Sequence, residues 1–269
     1  MDRPDWAPES IDVDRPSAAR IYDYWLGGSH NFAVDREVAR QFTAMVPDTA
    51  LIMQANRAFL HRAVRYLVDA GIRQFLDLGS GIPTLGNVHE VAQRAAADAR
   101  VVYVDVDPVA VAHSRQMLAG NELAVVIQED LRRPEHILSH PDVRGLLDFD
   151  QPVALLLLAV MHFIPDTDEP AAILSRFSDA LAPGSYVVLS HGTADGISRD
   201  AAVRLVELFK RTPTPVVSRT RHAIEQLFAG FDLVEPGLVW SPLWRPEHPD
   251  EVGDKPEQAA AYVGVGRRR

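Results

Sequence analysis

The chain has 269 residues, of which 47% are hydrophobic and 24% charged; at about 150 residues per domain that is one to two domains with a sizeable core, which excludes disorder, collagen and coiled coil as global descriptions. It carries 37 acidic against 27 basic residues, a net charge of −10, which argues against a general nucleic-acid or anionic-membrane binder, since both need clustered positive charge. It has no cysteine, so disulfides, zinc-thiolate sites and thiol catalysis are excluded.

Residues 1–15 are rich in Pro and Asp, read as a loose arm, and contain no apolar signal core. A first helix is expected from Pro16-Ser17, with Ser17 as N-cap; Ala18, Ile21, Tyr22 and Trp25 fall on one face and Gly27-Gly28 ends it. Residues 29–32 form a loop, followed by a second helix over 35–45 that stops before Pro47. A third helix is expected over 49–70, with Leu51, Ile52, Ala55, Phe59, Val64, Leu67 and Val68 apolar, closed by Gly71. Residues 1–70 therefore read as a helical cap, and residues 71–269 as a second unit.

In that second unit short apolar runs alternate with helical stretches. The runs are 74–78, 101–106, 124–128, 152–158, 186–190, 231–239 and 260–266; the helical patterns include 85–97, 109–118, 170–181 and 200–210. Such alternation implies an α/β fold with a doubly wound parallel sheet. The run Val153-Ala154-Leu155-Leu156-Leu157-Leu158 has no polar alternation and is expected to be a central strand covered on both faces. The last two runs lack a helical pattern between them and are expected to pair antiparallel. The longest apolar run, Val153 to Met161, is too short for a membrane span, so the expectation is a cytoplasmic protein with no membrane partner.

Three acidic residues stand at or near successive strand ends: Asp77 in Phe75-Leu76-Asp77-Leu78-Gly79-Ser80-Gly81, Asp105 in Val104-Asp105-Val106-Asp107-Pro108, and Asp130 in Gln128-Glu129-Asp130-Leu131. In open α/β sheets ligands bind beyond the carboxyl ends of the strands, so all three are expected to face one crevice. Gly79 and Gly81 permit a tight turn and close backbone approach to a ligand. Asp105 is suited to accept both hydrogen bonds of a ribose diol, and Asp107 to cap the helix beginning at Pro108. Asp130 is suited to accept from an exocyclic amine such as adenine's, and Leu131 to press on a base. A dinucleotide site wants G-x-G-x-x-G/A; here Thr84 holds the third small position, Pro83 removes an N–H donor, and Asp77 repels a pyrophosphate. An adenosine with an amino-acid tail suits these residues better.

Asp77-Leu78-Gly79-Ser80-Gly81, Val104-Asp105-Val106-Asp107-Pro108, Asp130-Leu131 and Leu157-Leu158-Ala159-Val160-Met161-His162-Phe163-Ile164-Pro165-Asp166 resemble successive motifs of the class I S-adenosylmethionine-dependent methyltransferases. The opening stretch Arg15-Pro16-Ser17-Ala18-Ala19-Arg20-Ile21-Tyr22-Asp23-Tyr24-Trp25-Leu26-Gly27-Gly28, with Asn31-Phe32, Asp35, Pro83-Thr84, Asn87, His89-Glu90-Val91-Ala92 and Tyr262-Val263-Gly264-Val265-Gly266, resembles a bacterial methyltransferase family long filed as a domain of unknown function. The resemblance implies a Rossmann-like sheet of seven strands, the last antiparallel, and S-adenosyl-L-methionine as cofactor. It implies that Asp77, Gly79 and Gly81 line the methionine side, that Asp105 holds the ribose and Asp130 with Leu131 the adenine, and that Ala159 lies by the methionine moiety. The departure from many methyltransferases is Ile82-Pro83, where a third glycine often stands.

Several residues keep two readings. Tyr22 and Trp25 either pack in a core or bring Tyr22 over the pocket. His30, Asn31 and Phe32 form either a lid over the cofactor, with Asn31 in contact, or an ordered loop. His162 is the best polar candidate to face a substrate, or a structural histidine; His191 is weaker. His89-Glu90-Val91-Ala92-Gln93 lacks the second histidine of a zincin helix, so no metal is expected. Arg267-Arg268-Arg269 is expected to be a solvated basic end. The expected activity is methyl transfer to a small-molecule acceptor, with no nucleic-acid partner; the sequence sets no oligomeric state. Two alternatives stand beside it: a catalytically silent S-adenosylmethionine-binding protein, and an NAD(P)-dependent oxidoreductase.

Overall fold

The structure, a computed structural model, describes residues 12–83, 86–195, 197–209 and 215–269. Three helices open it: α1 (Ala18–Trp25), α2 (Ala33–Met45) and α3 (Thr49–Asp69). There follow β1 (Gln74–Leu78), α4 (Val88–Ala95), β2 (Arg100–Asp105), α5 (Pro108–Met117), β3 (Ala124–Gln128), α6 (Pro134–Ser139), α7 (Pro141–Leu146), β4 (Ala154–Leu158), α8 (Pro170–Ala180) and β5 (Tyr186–Gly192). The chain ends with α9 (Arg199–Phe209), α10 (Arg221–Glu225), β6 (Phe231–Leu233), β7 (Val239–Trp240) and β8 (Ala261–Arg268).

The strands form one sheet in the order β3-β2-β1-β4-β5-β8-β6, with β7 also paired to β8. The first five strands are parallel, as a strand-helix alternation requires. β8 runs antiparallel to β5 on one side and to β6 and β7 on the other. The chain leaves β1 outward to β2 and β3, then returns to β4 on β1's other side, so the strand order reverses between β1 and β4.

Side-chain alternation divides the core in two. Leu76, Leu78, Val102, Val104, Leu155 and Leu157 point to one face, where α8 adds Ile173 and Phe177 and α7 adds Val143. Phe75, Val101, Tyr103, Ala154 and Leu156 point to the other, under Phe59, Val64 and Leu67 of α3 and Ala92 of α4. This period of two, with both faces covered, is why β4 carries no polar residue. α3 thus shares the core of the sheet, whereas α1 and α2 lie beyond its strand ends. The buried stripe of α3 runs through Ile52, Asn56, Phe59, Leu60 and Ala63; Leu51, read with its apolar residues, is 63% exposed.

Several expectations are corrected. The run 231–239 is two short strands, because Pro236 has no N–H for the ladder and Gly237 turns the chain at φ +84°. β8 extends to Arg268, so part of the basic end is paired: Arg268 Nη1 donates to the Leu181 carbonyl and Arg269 Nε to Asp232 Oδ1 at 2.8 Å. Ser17 stands at the N-cap position of α1 as expected, but its side chain makes no capping bond and its hydroxyl donates to Asp107 Oδ2 instead. α4 begins at Val88; Leu85, the first residue of its apolar pattern, lies outside the described residues, as do Thr84 and Lys210. No helix of the described residues is long and apolar enough to cross a membrane.

Candidate functional site

At the reversal point the C-terminal ends of the parallel strands open into a cavity of about 800 Å³. Asp77, Gly79, Gly81, Asp105, Asp130, Leu131, Ala159, Tyr22 and His162 all line it. The three strand-end carboxylates therefore face one space.

The turn after β1 is fixed by two amides: Gly79 and Ser80 donate to the Val104 carbonyl at 2.8 and 3.1 Å. Gly79 has φ +72°, and a Cβ there would stand 2.4 Å from Val160 Cγ2. Gly81 has φ +67°, and the space where its Cβ would stand is open, so the backbone is bare on the cavity side.

Asp105 is 7% exposed. Its Oδ2 accepts from Gly81 N at 2.7 Å and its Oδ1 from Asp107 N at 2.8 Å. With the Val106 amide, three donors meet the four lone-pair sites of the carboxylate. Burial pushes its carboxyl up to about 6, against the pull of these amides. Asp107 caps α5, accepting from Val109 N at 2.7 Å, as expected. Asp77 is 6% exposed. Burial pushes it up to about 7, with Asp105 adding to the rise and Arg57 opposing it.

Two buried polar atoms that line the cavity have no hydrogen-bond partner, Asn56 Oδ1 and Ser80 Oγ. Asn56 Nδ2 donates to the Tyr22 hydroxyl at 3.0 Å, which leaves the hydroxyl proton of Tyr22 to give elsewhere. Orphaned acceptors beside a buried carboxylate suit a ligand that brings donors and positive charge.

Asp130 is differently placed. Arg132 chelates its carboxylate, with Nε at 3.0 and 2.9 Å from the two oxygens, and also reaches Asp168 at 3.2 Å. Burial works to raise the Asp130 pKa, and the Arg132 hydrogen bonds outweigh it and hold the group low. Leu131 is buried beside it.

Asn31 does not line the cavity. Its amide donates to Asp23 Oδ2 at 2.8 Å and to the Gly28 carbonyl at 3.0 Å, and its side-chain oxygen accepts from Arg36 at 3.0 Å. Asp23 also accepts from His30 N, and Asp35 accepts from Ser17 N and Phe32 N. These two buried aspartates bracket the loop between α1 and α2, while Tyr22, Trp25 and Phe42 present rings to the cavity.

Ala159, after β4, has φ +54°, a conformation costly for a non-glycine residue. Its amide is held by Ser190 Oγ at 2.8 Å. His162 Nδ1 accepts from Gly192 N at 3.2 Å, which puts the proton of the neutral ring on Nε2. Burial, with His191 and Arg219 nearby, pushes His162 down to about 3. His191 is tied on both nitrogens, Nδ1 to the Gly192 carbonyl at 2.7 Å and Nε2 to Arg219 at 3.0 Å, and burial pushes it down to about 4. Arg219, 7% exposed, also donates to the Met161 and Ile164 carbonyls and to Asp166. It holds the turn after β4 against the end of β5.

Sequence reading missed Asn56, Ser80, Ser190 and Arg219. Asn56 had a signal, a lone polar residue on the apolar stripe of α3. Arg219 had none, since its partners lie 28 to 58 residues away. Among the described residues no group of three or more His, Asp or Glu could hold a metal ion.

The chain matches the S-adenosyl methyltransferase family over residues 4–269. It is similar to a Thermobifida fusca protein of known crystal structure, described provisionally as a methyltransferase: 40% identity, 99% of this chain and 100% of that one covered, TM-score 0.92. A DUF574 family protein from Streptomyces avermitilis is 37% identical over 96% of this chain and 100% of its own, with TM-score 0.91. An O-methyltransferase family protein from Burkholderia thailandensis shares the fold at 13% identity, covering 82% of this chain and 58% of its own, TM-score 0.54. A comparison with curated proteins yields no match. The resemblance read from the motifs is thereby borne out: the chain belongs to the S-adenosyl methyltransferase family.

Proposed function

We propose that this chain transfers a methyl group from S-adenosylmethionine to a small-molecule acceptor. When bound, the cofactor supplies a sulfonium methyl carbon that takes a lone pair from the acceptor as the C–S pair returns to sulfur, leaving S-adenosylhomocysteine and a proton lost from the acceptor to water. The observation that carries this reading is the pair Asp77 and Asp105. They are buried carboxylates on adjacent strands, facing one cavity with acceptor capacity to spare.

The residues divide the work. Asp105 accepts the ribose diol, each charge-assisted bond contributing about 1.5–3 kcal/mol. Gly81 lets the ligand approach the backbone. Asp77, Asn56 Oδ1 and Ser80 Oγ receive the ammonium, and the Tyr22 hydroxyl donates to the carboxylate of the amino-acid end. Leu131 presses on the adenine, with Asp130 beside its amine while shared with Arg132. Ala159 borders the methionine moiety. α1, α2 and the first turns of α3 close over the cofactor, and apolar walls line the space around the reacting atoms. Alignment of this kind can supply about 7–11 kcal/mol, so no strong base is required.

The test is titration calorimetry with S-adenosylmethionine, S-adenosylhomocysteine and NADH. Binding of the first two but not the third is expected, with at least a tenfold loss in Asp105→Ala. NADH binding, or an unchanged affinity in the variant, overturns the assignment. Mass detection of methylated product in a metabolite extract then separates an enzyme from a silent binder.

A further inference from the structure

The strand-end carboxylates occupy only part of the cavity. The remainder lies beyond β4 and β5, walled by α9 and by Phe42 of α2, and its chemistry is different. A chain of rings spans it. Trp25 and Phe42 stand 4.7 Å apart, Phe42 and Phe209 5.9 Å, Phe209 and Phe163 6.2 Å, and Phe163 and His162 4.3 Å, measured between centroids. All five rings line the cavity. Their mutual tilts, from 46° to 86°, offer both faces and edges, the two surfaces an aromatic guest can use.

The polar groups of this half are nearly all occupied. The Arg219 guanidinium is spent on two carbonyls, Asp166 and His191. Ser190 Oγ holds Ala159 N, and Thr193 Oγ1 donates to the Arg219 carbonyl. Among the described residues lining this half the charged side chains are Arg199 and Glu207, both exposed on α9. A charged guest would lose its hydration with no buried counter-charge among the described residues to replace it. His162 remains, with Nε2–H to offer to one lone pair.

We propose that the half of the cavity walled by α9 and Phe42 of α2 binds an uncharged aromatic acceptor bearing one nucleophilic oxygen near His162. This rests on the cofactor reading above, because it assigns the substrate class of the same cavity. Face and edge contact with the five rings supplies the affinity. The Nε2–H of His162 sets the oxygen, and the lack of a buried counter-charge among the described residues of this half disfavours carboxylates and ammonium ions.

The test is calorimetry on the full chain saturated with S-adenosylhomocysteine. The probes are 2-naphthol, 2-naphthoate and decahydro-2-naphthol. 2-Naphthol should bind at least tenfold more tightly than 2-naphthoate and at least threefold more tightly than the saturated alcohol. Val206→Glu, in the wall of this half, should lower 2-naphthol affinity at least tenfold with S-adenosylhomocysteine binding kept. Val206→Lys should raise 2-naphthoate affinity at least tenfold. Equal or tighter binding of 2-naphthoate by the unaltered chain overturns the proposal, as does no binding of 2-naphthol, or 2-naphthol affinity indifferent to both substitutions. A chain that takes 2-naphthol but not S-adenosylhomocysteine supports the chamber and overturns the cofactor reading.

Discussion

The amide of Gly81 donates to Oδ2 of Asp105 across 2.7 Å. One bond thus joins the glycine turn after β1 to the end of β2, 24 residues on. It orients the carboxylate without exhausting it, since three amides, of Gly81, Asp107 and Val106, meet four lone-pair sites. Asp107 in turn receives the Ser17 hydroxyl, so α1 is latched to the same structure.

Cofactor affinity should rise from pH 5 to pH 8. Burial lifts Asp105 to about 6 and Asp77 to about 7, against an ordinary 3.8. In the free protein both hold protons that the unfolded chain releases, so the stability they contribute is full below about pH 4 and is lost as the pH rises through 6 and 7. Binding runs the other way, because hydroxyl donors and an ammonium favour the ionised carboxylates. Between pH 7 and pH 6 the affinity for S-adenosylhomocysteine should fall by up to about tenfold per unit, and below pH 6, where both carboxyls hold protons, by up to about a hundredfold per unit. Asp105→Asn should flatten the lower part of the curve. Titrations at four pH values check this, and a flat profile in the unaltered chain would sink it.

Gly28→Ala should destabilise the fold. A Cβ at residue 28 would stand 1.9 Å from Asp23 Oδ1, so the carboxylate must swing away from His30 N and Asn31 Nδ2. Two buried donors then lose their acceptor, at a cost on the order of 2 kcal/mol. For a chain of this size that is a drop in Tm of about 4–8 °C. Scanning calorimetry gives the answer, and an unchanged Tm contradicts the bracket described for this loop.

Arg219→Met should cost about 3 kcal/mol of stability, because the Met161 and Ile164 carbonyls and His191 Nε2 lose their donor in a buried setting. Arg219→Lys should recover less than half of this, since an ammonium cannot reproduce the planar fork that spans these acceptors. The Asp166 pair adds little, its carboxylate being mostly exposed. A lowered urea midpoint with an unchanged slope is the expected signature. A midpoint equal to that of the unaltered chain would mean the hub has no energetic role.

The residues that periodicity could reveal were those whose environment repeats along the chain. β4 was legible because both its faces are covered, which removes polar residues from Ala154 to Leu158. Asp77, Asp105 and Asp130 were legible because strand ends recur at the spacing of one strand-helix-strand unit. The run 231–239 misled because apolar content is the same for one strand and for two broken at Pro236, and only the proline marks the break. Ser17 looked like a cap by local grammar, yet its hydroxyl answers to Asp107, 90 residues away. Arg219 was invisible for the same reason, its partners being chosen by the fold rather than by neighbours in sequence.

His162 and His191 should remain neutral throughout the range in which histidines ordinarily titrate. Burial drives His162 to about 3 and His191 to about 4, against an ordinary 6.5. Gly192 enforces this from both sides. Its amide donates to His162 Nδ1, and its carbonyl takes the Nδ1 proton of His191. Their ring resonances, followed by NMR, should not move between pH 5 and pH 8. The sign for stability follows. Below about pH 6.5 the unfolded chain gains protons that these rings refuse, so the stability they contribute is lost as the pH falls toward 4 and 3. A methyl-transfer rate governed by alignment alone should show no limb from either ring above pH 5. An inflection near 6.5 that disappears in His162→Gln would show instead that the ring takes a proton during turnover, and would make it a base rather than the donor inferred from its bond to Gly192.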